Sequence, residues 1–183
     1  MNLRMPVILS LGLATAAQAL AHELQVGRNE SNQIIMHIEG GQPFDLEESP
    51  FPGFDGFAAS DPGFVALPVD NPGEGIFALP STADLEFELL GADAHIQVWN
   101  DTGTAPMLVG ERFTMGQPLF HIHPIWHSPD GTPGEEYGIH VRLHDLSGQL
   151  TASDAYTILF TPVPEPTTAA MLLVGAMAWR RRS

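Results

Sequence analysis

The sequence predicts an all-β domain, a single β-sandwich or jelly-roll-like unit, flanked by a signal peptide and a short C-terminal transmembrane helix. Three observations lead there. The middle of the chain alternates apolar and polar residues with period 2, turn residues break that alternation at short intervals, and no middle stretch sustains a helical period. The length, 183 residues, suits one such domain with its targeting segments.

The clearest strands come late. Leu85, Phe87 and Leu89 alternate with Glu86 and Glu88. Ile139, Val141 and Leu143 alternate with His140, Arg142 and His144. Tyr156, Ile158 and Phe160 alternate with Thr157, Leu159 and Thr161. Strands are also expected at Ile34–Ile38, from His95 to Trp99 and from Leu119 to His123. Turns are marked by Gly40-Gly41, Asn71-Pro72-Gly73, Asp101-Thr102-Gly103, Pro129-Asp130-Gly131 and Ser147-Gly148. The stretch 43–75 is rich in Pro, Gly, Phe and acid. It reads as a long ordered loop, because a solvated linker would not carry Phe51, Phe54 and Phe64; its aromatics are expected to cover one edge or end of the sandwich.

Residues 1–21 carry the marks of a secretory signal: Arg4, an apolar run from Val7 to Ala17, and overlapping cleavage sites at Ala17-Gln18-Ala19 and Ala19-Leu20-Ala21. Cleavage after Ala21 would make His22 the first residue of a domain spanning 22–162. At the other end, residues 163–183 run Val163-Pro164-Glu165-Pro166, then an apolar stretch from Thr167 to Trp179, then Arg180-Arg181-Arg182. Thirteen helical residues span about 20 Å, less than the roughly 30 Å hydrocarbon core of a bilayer. The arginines would stay on the cytoplasmic side. These three parts, in this order, resemble the PEP-CTERM sorting signal of Gram-negative bacteria. The resemblance implies recognition by an exosortase, a membrane-anchored precursor, and final placement at the cell surface or in the extracellular matrix, with exopolysaccharide as a further partner.

The formal charge is −15, from 22 acidic and 7 basic side chains, and there is no lysine. Four of the arginines lie in the terminal segments. Between His22 and Val163 stand three arginines and 21 acids, a charge of −18. Such a surface excludes nucleic acid and anionic lipid as partners and favours cations. With no cysteine, a metal site must be built from His, Asp, Glu or a chain terminus.

All eight histidines lie in the middle of the chain: His22, His37, His95, His121, His123, His127, His140 and His144. His121 and His123 are two apart, so on a strand they share a face and can share an ion; neutral imidazole suits zinc, copper, iron and nickel. Pro124 is expected to end that strand and leave His127 on a following turn, as a candidate third ligand. His22, as a mature N-terminus, would offer an amine and an imidazole together. His140 and His144 flank Arg142, which makes a poorer metal face. Asp55, Asp61, Asp70 and Glu74 read as solvated acid, because no Ca²⁺-loop pattern contains them. A cupin-type enzyme expects a glutamate soon after the His pair, and Glu135-Glu136 come late. No G-x-S-x-G nucleophile elbow occurs.

A second resemblance rests on His22-Glu23-Leu24, Pro52-Gly53-Phe54, His121-Ile122-His123 with Trp126, and Tyr137-Gly138-Ile139-His140-Val141. In that order they resemble choice-of-anchor M domains and PEP-CTERM surface proteins repressed by the zinc regulator Zur. The resemblance implies a surface protein tied to metal supply, with His121 and His123 as the carried-over pair. The expectation is therefore a non-enzymatic binder of zinc, with copper or manganese as other ions. The alternative is a structural or adhesive matrix protein without metal.

Overall fold

The computed structural model describes residues 23–38, 40–99 and 104–164. The signal segment, His22, and the sorting tail from Glu165 onward, with Pro166, the apolar stretch and Arg180, Arg181 and Arg182, lie outside the described residues. Val163 and Pro164 lie inside them.

The described chain is all-β, without a helix. Its strands are β1 (Glu23–Arg28), β2 (Ile34–Ile38), β3 (Phe44–Glu48), β4 (Phe57–Ala59), β5 (Gly63–Ala66), β6 (Leu85–Ala92), β7 (Gln97–Trp99), β8 (Arg112–Gly116), β9 (His121–Ile122), β10 (Ile125–Ser128), β11 (Tyr137–Asp145) and β12 (Tyr156–Pro162). They form two sheets in a sandwich-like arrangement. The small sheet runs β2-β1-β5-β9, and the large one runs β7-β10-β4-β3-β12-β11-β6-β8. Two neighbouring pairs are parallel, β1 with β5 and β12 with β3.

The alternation read from the sequence places the core. Leu85, Phe87 and Leu89 are buried, as are Ile139, Val141, Leu143, Ile158 and Phe160. The small sheet contributes Leu24, Val26, Ile34, Met36 and Phe64 to the same cluster. Phe64 joins the two sheets: its ring stacks on Phe87 at 5.1 Å and tilts against Trp126 at 6.1 Å between centroids. Trp126, fully buried, also donates its indole N–H to the Pro62 carbonyl at 3.0 Å. A buried indole needs such an acceptor, and this one lies on the chain leading into β5.

The stretch 43–75 corrects the sequence reading, for it contains three strands. In β3, Phe44 and Leu46 turn inward while Asp45 and Glu47 face solvent. The strands are three to five residues long and bounded by Pro and Gly, so no window was long enough to display a period. Part of the expectation survives, because Phe54 packs edge-on against Trp99 at 4.8 Å and against the His127 ring at 5.1 Å. The strand expected from His95 begins at Gln97, since Asp93–Ile96 is a turn closed by the Ile96 N–H on the Asp93 carbonyl.

The strand expected from Leu119 to His123 is shortened to His121–Ile122. Leu119 adopts φ 84°, a left-handed conformation no strand residue takes, and Pro124 closes the other side. Beyond Pro124 the chain enters the large sheet, where Ile125–Ser128 form β10 rather than a turn. His121 and His127 consequently belong to different sheets.

Candidate metal centre

The centre lies on the outer face of the small sheet and follows from strand register. Glu23 of β1 pairs with Gly63 of β5. Val65 of β5 pairs with His121, and Phe64 with Ile122; the same register carried one step further sets His123 opposite Gly63. The row Glu23, Gly63, His123 thus has a residue without a side chain at its middle. Alternation buries Leu24, Phe64 and Ala66 beneath this face and turns Glu23, His121 and His123 outward.

Three donor atoms converge there. His121 Nε2 lies 3.0 Å from His123 Nε2 and 3.0 Å from Glu23 Oε1. Ligand atoms of all three residues lie within 4.8 Å of one another. Two ligands on a tetrahedral zinc, each at about 2.0–2.1 Å, stand about 3.3 Å apart. The two 3.0 Å separations made by His121 would each have to widen by a few tenths of an ångström to match that spacing.

The far nitrogen of the His123 ring is held from behind. Its Nδ1 lies 3.0 Å from the Ser60 carbonyl and 3.1 Å from Asp61 Oδ1. A carbonyl only accepts, so Nδ1 carries the proton and, in the neutral ring, Nε2 presents its lone pair to the centre. A carboxylate or carbonyl on the far nitrogen is the usual way a ligating histidine is oriented. Glu23 adds a second sign: its other oxygen, Oε2, is buried without a hydrogen-bond partner, a costly arrangement for a carboxylate unless a cation offsets it.

The donor set fits a divalent transition metal. Two imidazoles and one carboxylate form a recognised three-ligand zinc set that leaves a fourth position. Sequence reasoning picked out His121 and His123 and passed over Glu23. The signal lay in its place next to His22, but only the parallel pairing of β1 with β5 brings residue 23 beside residues 121 and 123.

The structure does not bring His127 to this group. It is buried, 6 % exposed, in β10 of the large sheet. Its Nε2–H donates to the Asp55 carbonyl at 2.7 Å, and its Nδ1 is buried without a partner. The remaining described histidines stand apart as well. His95 meets Asp130 at 3.1 Å, His140 meets Thr157 Oγ1 at 2.9 Å, and His144 meets Glu88 at 2.7 Å. His37 sits in β2, paired with Gln25.

Comparison of the chain with protein-family models, with curated proteins and with solved structures gives no match.

Proposed function

We propose that the chain is an exported surface protein of a Gram-negative bacterium whose β-sandwich domain binds a divalent transition metal, zinc foremost, through Glu23, His121 and His123. The observation that carries this reading is the meeting of three donor atoms around one point, with the far side of His123 tied to Ser60 and Asp61. The charge of −18 between His22 and Val163 supports it by concentrating cations near the surface. Export through residues 1–21, and exosortase sorting through Val163-Pro164-Glu165-Pro166 and Arg180-Arg181-Arg182, rest on the order of those motifs.

The test is elemental analysis and zinc titration of protein purified without a histidine tag, since a tag would supply the ligand in question. One equivalent of zinc is expected. The His121→Ala/His123→Ala double variant should lose it. An unchanged stoichiometry in that variant would reject the site.

A further inference from the structure

The β3–β4 hairpin belongs to the large sheet, not to the small sheet that carries the metal centre. Glu48 pairs with Phe57 across the hairpin, and the Ser49 N–H donates to the Gly56 carbonyl at 2.9 Å. Within the loop, the Phe54 N–H donates to the Phe51 carbonyl at 3.2 Å. Glu48, Ser49, Phe54, Asp55, Gly56 and Phe57 line a cleft of about 410 Å³, within the range of small-molecule sites.

The cleft is held in shape from behind. The Phe54 ring packs against Trp99, His127 and Phe51. The Asp55 carbonyl accepts the His127 Nε2–H at 2.7 Å. Gly56, at φ 87°, lies so close to the next segment that a β-carbon would stand 2.5 Å from the Ser128 carbonyl oxygen. A site formed before its ligand arrives loses less in ordering on binding.

We propose that this cleft binds an organic cation, a guanidinium or alkylammonium group on an apolar stem. Glu48 and Asp55 are exposed, and among the described residues no basic side chain pairs with either carboxylate. The domain's three arginines are placed elsewhere. Arg112 meets Glu86 and Glu88, Arg142 stands opposite Glu88, and Arg28 lies over the Phe77 ring. Phe54 and Phe57, both half-buried, set aromatic surface beside the two acids. A ring attracts a cation over its face, and it also packs against the stem that carries the charge. Water and small counter-ions use only the carboxylates. A divalent metal lacks a donor set here, since the His, Asp and Glu atoms that converge among the described residues are those of Glu23, His121 and His123. An anion would meet two carboxylates with no cation to offset them.

Amide chemical shifts of the full, isotope-labelled chain test this, with butylguanidine as probe and butylurea as its uncharged isostere. Saturable shifts at Ser49, Asp55 and Gly56 are expected, with butylguanidine bound about tenfold more tightly than butylurea. Glu48→Gln/Asp55→Asn should abolish that preference; both side chains are exposed and unpaired, so the fold is kept, and unchanged shifts elsewhere verify it. A blocked Gly-Arg-Gly peptide that binds as tightly as butylguanidine assigns the cation to a protein side chain, and weaker peptide binding assigns it to a free molecule; both support the site. Equal binding of the two small probes overturns the proposal, as does a preference that survives in the double variant. Shifts that spread over the acidic surface without saturating overturn it as well. The same shifts produced by Mg²⁺ at lower concentration overturn the ligand class, and no shift with any probe overturns the site.

Discussion

Gly63 lies flat against the ring of His123. A β-carbon built on Gly63 would stand 2.6 Å from His123 Cε1, 2.8 Å from Nδ1 and 2.9 Å from Nε2. The ring occupies the space a side chain at 63 would fill, and so it is held over the sheet toward Glu23 and His121.

Gly63→Ala should therefore displace His123 while leaving the strand in place. We expect zinc affinity to fall by about tenfold or more, and stability by about 1–3 kcal/mol from overpacking. Isothermal titration and urea denaturation measure the two separately. Wild-type affinity in this variant would show that the ring position is not needed.

Asp61→Asn removes the charge behind His123 but leaves the Ser60 carbonyl on the same nitrogen. Loss of an outer partner of a ligating histidine costs about 10–100-fold in metal affinity. With one of two partners retained, the low end of that range is expected, and competition against a chromogenic chelator would measure it.

His127→Ala separates the two histidine environments. The variant loses the hydrogen bond to the Asp55 carbonyl and the edge contact with Phe54. It should destabilise the domain by about 1–3 kcal/mol and leave zinc stoichiometry unchanged. Loss of zinc in a folded His127→Ala protein would return His127 to the ligand set.

Phe64 bridges the sheets through Phe87 and Trp126. Phe64→Ala should cost about 3–5 kcal/mol, the range for emptying an aromatic site in a core. Because the same strand carries Gly63, the loss should also weaken metal binding. Added zinc should recover part of the thermal midpoint, since a ligand that binds only the folded state stabilises it.

Asp145 sets an acid-sensitive element. Burial acts to raise its pKa but is outweighed by hydrogen bonds from the Asp84 N–H, from the Ser147 hydroxyl and from the Leu150 and Ser147 N–H groups, which hold it below the ordinary carboxylate value of 3.8. A lowered folded-state pKa means stability that is present above 3.8 and lost as pH falls through the folded value. Asp145→Ala should thus be less stable than wild type at neutral pH, by about 1–3 kcal/mol, and the gap should narrow as pH falls below 3.8 and Asp145 is protonated. Chemical denaturation at stepped pH would show the narrowing; a gap that widens in acid would contradict it.

Much of the domain was legible in the order of its residues. Strict alternation in residues 85–89, 139–144 and 156–161 marked the core strands, because a buried face needs every second residue to be apolar. The spacing of His121 and His123 put both on one face for the same reason. The two ends were read as motifs, and apart from Val163 and Pro164 they lie outside the described residues. Other features needed the third dimension. The strands within 43–75 are too short to carry a period, so their pairing with β10, β1 and β12 had to reveal them. Glu23 joins the histidines through a parallel pairing of β1 with β5, a long-range choice that no local pattern records. His127 leaves them because the chain changes sheets at Pro124. Local sequence determined which residues face the same way; packing between distant strands decided which of them meet.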